Sequence, residues 1–186
     1  MRYVMRQNLF SAGDHYTVRD ENGREAFRVD GRAVDVCDRL SFRDLLGREL
    51  AFIRRKVLPW GMTYEVYYAD ELHSVVKQQD VAFARASFAI DEPGPDDLRA
   101  AGDLPGHEYA FTRDGHPVAT VSKKWVRPSD SYGVDVTRGE DDVLILAGTV
   151  VLDVCCRTAD RAVPAAPARN GKAPGRVPAA ARCAPR

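Results

Sequence analysis

Apolar residues recur at every second position through most of the chain, and turn signals interrupt them about every ten residues, which is the pattern of short, half-buried strands. HYTVRD and EAFRVD flank Glu21-Asn22-Gly23-Arg24, where Asn-Gly is suited to the positive φ angles of a tight hairpin. The same unit returns as LSFRD, Leu45-Leu46-Gly47-Arg48 and ELAFIRRKV, and again as HEYAFTR, Asp114-Gly115 and PVATVSKKW. Phe27 with Val29, Leu50 with Phe52, and Tyr109 with Phe111 mark one face of each unit as apolar. About a dozen such strands are predicted before residue 137.

The units are related to one another. A shift of 68 positions lays Ala51 to Val66 on Ala119 to Val134, pairing Ala51 with Ala119, Ile53 with Val121, Lys56 with Lys124 and Tyr64 with Tyr132. A shift of 24 pairs Arg19-Asp20 with Arg43-Asp44, and Gly23-Arg24-Glu25 with Gly47-Arg48-Glu49. Repeated hairpins of this kind predict a closed or nearly closed sheet, the arrangement that leaves no exposed edge.

One segment breaks the pattern. Asp141 to Cys156 reads DDVLILAGTVVLDVCC. Its apolar stretch, Val143 to Leu152, would span roughly 15 Å as a helix against about 30 Å of hydrocarbon, too short to cross a bilayer. Consecutive apolar residues point all round a helix, so the element must be buried on every side. Glu140, Asp141 and Asp142 stand where carboxylates favour a helix N-terminus. A buried strand or two is the competing reading, because Val and Ile are frequent here, but the length without a turn signal favours a helix. A barrel of around twelve strands leaves a hole for it, where about eight would close on their own side chains. The reading is therefore mainly β: a closed barrel enclosing a central hydrophobic C-terminal α-helix.

Composition refines this picture. The chain holds 27 basic and 27 acidic residues, but seven of the basic ones and a single acid lie from Arg157 onward, so residues 1–156 carry a net charge of −6. A net acidic body argues against a general nucleic-acid binder. Residues 157–186, rich in Ala, Pro and Arg and without an aromatic side chain, are expected to form a disordered tail. Cys37, Cys155, Cys156 and Cys183 have neither a CxxC spacing nor metal-ligand histidines beside them, and read as reduced thiols. The first residues, MRYVMRQNLF, lack the apolar region of a secretory signal, so a cytoplasmic, monomeric protein is expected.

The segments YVMRQNLFSAGDHYTVRDENGREAFRVDGRA, LSFRDLLGRELAFIRR, YAFTRDGHPVATVSKKW and DSYGVDVTRGEDDVLILAGTVVLDVCC resemble the LURP-one-related family, kin of the tubby C-terminal domain and the phospholipid scramblases. The resemblance spans Arg2 to Cys156 and implies a twelve-stranded, tubby-like β-barrel around a central helix at about residues 141–156. Its relatives point towards phosphoinositides and membrane lipids, without a residue-by-residue site to carry over.

The chain contains no GxSxG elbow, HExxH helix, GxxxxGK[ST] loop or Gly-rich dinucleotide turn, so no enzyme, cofactor or metal is expected. His15, His73, His107 and His116 fall at turns or strand ends, and His107 and Glu108, as strand neighbours, should face opposite sides. Asp96-Asp97 reads as a solvated turn. The candidate site is a pair of basic segments beside tryptophan: Arg54, Arg55, Lys56 and Trp60, and Lys123, Lys124, Trp125 and Arg127. Cations beside indole suit a phospholipid headgroup region, whereas the bland account is wet barrel exterior with the tryptophans capping the core. Two functions follow as expectations: a module for anionic phospholipid, peripheral at a membrane without a transmembrane span, or a scaffold barrel for a protein partner.

Overall fold

A computed structural model describes residues 1–8, 15–31, 39–58, 61–79, 87–93, 97–124 and 131–162, with the backbone alone described at 57, 58, 61, 62 and 158–162. The strands are β1 (Arg2–Gln7), β2 (His15–Asp20), β3 (Glu25–Gly31), β4 (Arg39–Asp44), β5 (Glu49–Leu58), β6 (Gly61–Tyr68), β7 (Glu71–Gln78), β8 (Ser87–Asp91), β9 (Leu98–Asp103), β10 (Glu108–Arg113), β11 (His116–Ser122) and β12 (Ser131–Val136), followed by helix α1 (Asp142–Ala162). Each strand pairs antiparallel with the next, and β1 pairs with β12, with Met5 opposite Tyr132, so the twelve strands close into a barrel. The period-two pattern holds in β2 and β10, where Tyr16 and Val18, and Tyr109 and Phe111, are buried inside. In β5 the expected pair Leu50 and Phe52 gives way to Ala51 and Ile53, which face inward, while Phe52 lies on the outer wall against Tyr67, because the β4–β5 register shifts at the start of β5.

The turns repeat as the sequence does. Asp20 Oδ1 accepts from the Asn22 and Arg24 amides at 2.9 Å, and Asp44 Oδ1 accepts from Leu46 and Arg48 at the same distance. In these turns the left-handed residues are Gly23 (φ 76°) and Gly47 (φ 80°) alone, so Asn22 does not share the positive φ expected of it. Asp114 and Gly115 both take positive φ, giving the two-residue hairpin. The shift of 68 is also kept in register: Ile53 faces Val66 as Val121 faces Val134, and Arg54 faces Glu65 as Ser122 faces Gly133. In the circuit β5 and β11 stand six places apart, so the related hairpins occupy opposite walls.

α1 fills the barrel. Leu144, Leu146, Ala147, Val150 and Val151 have no exposed surface, and Ile145, Leu152 and Val154 have almost none, so the apolar block is a core on every side. Asp141 caps the helix by accepting from the Leu144 amide at 3.0 Å. A Cβ on Gly148 would stand 3.1 Å from Ile90 Cδ1 and 3.4 Å from Phe111 Cε1, which marks a close approach of helix to wall. The helix continues past Cys156 to Ala162. No helix of the described residues is long and apolar enough to cross a membrane. Residues 163–186, on which most of the expected tail falls, lie outside the described residues.

Candidate functional site

The helix gives the barrel two unlike rims. At its N-terminus Tyr3 Oη donates to Asp142 at 2.9 Å and Tyr68 Oη to Asp141 at 2.8 Å, while Arg113 bridges Glu92 and Glu140. Burial and the adjoining carboxylates push both phenols up, because a phenolate there would be desolvated beside negative charge. The turns after β2, β4 and β6 open at this rim and add Glu21, Asp44, Asp70 and Glu71. Since Tyr68 ends β6 here, the antiparallel β5 must end at the other rim, where β11 also ends.

That second rim carries the basic segments. On the outer wall Arg54 Nη2 lies 2.7 Å from Glu65, and Lys56 and Tyr67 also bond to Glu65. Burial favours the neutral acid, yet the hydrogen bonds from Lys56, Tyr67 and Arg54 outweigh it and hold Glu65 down at about 2. Tyr67 stacks on Phe52 at 5.0 Å, and Arg39 covers the Phe52 ring at 4.1 Å. Two cations thus share one carboxylate. Lys124, four-fifths exposed, lies 3.4 Å from Glu108, whose carboxylate also accepts from Ser122 and from the Lys123 amide.

The basic segments therefore reach one rim, but not one patch: β5 and β11 stand on opposite walls. Nor does the run Arg54-Arg55-Lys56 share a face. Arg55 pairs with Tyr64, a fully buried core residue, and so belongs to the inner wall with Ala51 and Ile53. Parity with Ala51 and Ile53 was the sequence signal for this. Trp60, Trp125 and Arg127 fall outside the described residues, although the strand ends on either side of them lie at this rim.

Just inside the same rim lies a buried ionic cluster that sequence reasoning missed. Asp153 of α1 faces His107 Nε2 at 2.7 Å, accepts from Tyr16 Oη at 2.5 Å and lies 3.2 Å from Arg157 Nε. Arg157 Nη2 donates in turn to Tyr16 Oη at 2.5 Å, and Tyr132 stacks on the His107 ring at 4.5 Å. Burial opposes a charge on Asp153, but hydrogen bonding to His107, the Arg157 charge and the Tyr16 hydroxyl hold its carboxyl below the usual range. His107 takes φ 53° in the turn after β9, and its other nitrogen faces the Pro105 carbonyl at 3.2 Å. Glu108 points outward, as strand alternation requires. Among the described residues no three His, Cys, Asp or Glu side chains are grouped to hold a metal ion.

Fold and rims together define a helix-filled, twelve-stranded antiparallel barrel with an acidic and a basic end. The LURP-one-related family profile matches residues 1–153, and the chain belongs to that family. It is 29% identical over 150 residues to the uncharacterized protein YxjI of Bacillus subtilis, covering 81% of this chain and 90% of that one. A crystal structure of a protein from Arabidopsis thaliana superposes with a TM-score of 0.61 at 16% identity, over 82% of this chain and 90% of the other, which establishes the shared fold.

Proposed function

We propose that the barrel is a non-enzymatic binding module that docks on anionic phospholipid surfaces through its basic rim. The observation that carries this reading is the separation of charge along the barrel axis. Arg54 and Lys56 on one wall and Lys124 on the opposite wall deliver cations to the rim where α1 ends, while carboxylates gather at the other. Residues 163–186, which follow the helix in sequence, hold five basic side chains and no acid. A surface of this kind is drawn end-on to a negatively charged leaflet, with about 1 kcal/mol for each cation near the headgroups.

Flotation with phosphatidylcholine vesicles, with and without phosphatidylserine, tests the reading. Binding should require the anionic lipid and weaken as salt rises. Replacing Arg54, Lys56, Lys123 and Lys124 together by Gln should abolish it; because Glu65 then loses both its cations, the melting temperature falls as well, and circular dichroism at the flotation temperature checks that the variant is still folded. Equal flotation of that variant would end this proposal.

A second reading, a scaffold barrel for a protein partner, is favoured by the opposite rim. Leu45 and Leu46 are 57% and 80% exposed at the tip of the β4–β5 hairpin, and Leu72 is exposed on the neighbouring β6–β7 hairpin. The turn does not require these leucines, since its sister after β2 makes the same bonds with Glu21 and Asn22. Changing Leu45 and Leu46 to Glu and Asn leaves vesicle binding intact under the first reading.

A further inference from the structure

Arg55 is the exception among the described part-buried arginines. Among the described residues four arginines are part-buried, and three of them have a carboxylate: Arg43 has Glu49, Arg113 has Glu92 and Glu140, and Arg157 has Asp153. Among the described residues Arg55 has no ion pair, and its Nε is buried without a hydrogen-bond partner. The neighbouring Glu65 does not serve it, because Glu65 is on the outer wall with Arg54 and Lys56. A guanidinium placed inside a protein without a counter-charge is costly, and replacing it by an apolar side chain would remove the cost. The position related to Arg55 by the shift of 68 is Lys123, also part-buried.

We propose that Arg55 is an anion receptor within the barrel mouth, taking a phosphate group in its guanidinium fork. This inference rests on the reading of the basic rim as a phospholipid-facing surface and adds a division of labour. Arg54, Lys56 and Lys124 attract the anionic surface from outside, in a salt-sensitive and headgroup-tolerant way. Arg55, walled by Tyr64 and the helix-filled interior, recognises the phosphate itself by paired N–H bonds, which a lysine ammonium cannot reproduce. The ligand chemistry is a phosphate mono- or diester, carried by a lipid headgroup or by a soluble metabolite.

The experiment follows the Arg55 Nε–H resonance of the whole chain by ¹⁵N NMR, assigned by its loss in Arg55→Lys. Two probes are titrated: glycerol 3-phosphate, and phosphatidylserine-containing vesicles at high salt, where long-range attraction is screened. The resonance should shift with both, and Arg55→Lys should weaken vesicle binding about tenfold while Arg24→Lys, in the turn after β2 at the opposite rim, leaves it unchanged. Vesicle binding that leaves the Arg55 resonance unmoved, with full binding by Arg55→Lys, overturns the receptor while sparing the basic rim. A shift with glycerol 3-phosphate in a chain that floats with no vesicle upholds the receptor for a soluble ester and ends the membrane reading. No shift with either probe overturns the receptor. Where Arg55→Lys folds poorly, the resonance is assigned in the wild type by through-bond correlation of Nε with the Arg55 backbone.

Discussion

His107 Nε2 lies 2.7 Å from Asp153 Oδ1 and ties the turn between β9 and β10 to the helix that fills the barrel. The two residues are 46 positions apart, and both are almost wholly buried. His107 adopts a left-handed backbone, a conformation that costs of order 1 kcal/mol or more and persists where its surroundings compensate. Here the compensation is a ring whose two nitrogens both face oxygen atoms.

Removing the carboxylate exposes what it holds. Asp153→Ala leaves the buried His107 and the part-buried Arg157 without their shared anion, which should cost about 3 kcal/mol. Urea unfolding measures this directly, and a midpoint within experimental error of the wild type would show the cluster to be dispensable.

Acid should act through the same group. Because folding depresses the Asp153 pKa, its contribution is fully present above the unfolded carboxyl value, about 4, and is lost as pH falls through the lower folded value. Glu65, held at about 2, behaves in the same sense on the outer wall, with a smaller effect because Arg54 and Lys56 are half exposed to screening water. The stability difference between wild type and Asp153→Ala should therefore shrink below about pH 4. A difference independent of pH would place the loss in packing and not in charge.

The helix as core makes a sharper demand. Leu146 is fully buried, and Leu146→Asp would place an unpaired carboxylate among apolar groups at a cost of several kcal/mol, comparable to the whole stability of a domain of about 5 to 15. Truncation after Gly139 removes the filling altogether. Circular dichroism and gel filtration should show both chains misfolded or aggregated; a monomeric, cooperatively melting truncated barrel would contradict the helix-filled fold.

Gly148 sets the limit of that packing. An added methyl would meet Ile90 at 3.1 Å, so Gly148→Val should overpack the helix–wall contact and destabilise by about 1 to 3 kcal/mol. A rise in melting temperature would show that the wall yields.

The barrel was legible in the sequence because strand alternation, turn chemistry and a fully apolar helix each leave a local mark. Even the two internal shifts proved to be shifts of register, as Ile53–Val66 and Val121–Val134 demonstrate. The ionic cluster left no such mark. Asp153 closes an apolar block, and its partners Tyr16 and His107 come from β2 and from the turn between β9 and β10, brought together only by closure. The basic segments illustrate the middle case: their composition was plain, but nothing local says that β5 and β11 face away from each other across the barrel. Arg55 was decided by parity, a signal that the run of three cations obscured.

Chain order gives the helix-filled barrel a consequence for its birth. All twelve strands precede α1, and the seam pairs β1 with β12, where the Met1 amine bonds the Val136 carbonyl. A nascent chain that has emitted every strand still lacks the element that its inner wall packs against, and translation proceeds at about 5 to 20 residues per second. For that interval Tyr16, Phe42, Ile53 and Val134, buried in the finished barrel, have no helix to pack against and are left to water or a chaperone. Ribosome-bound chains stalled before residue 140 should accordingly recruit chaperones more strongly than chains stalled after the helix has emerged, which makes α1 the segment that releases the barrel from escort.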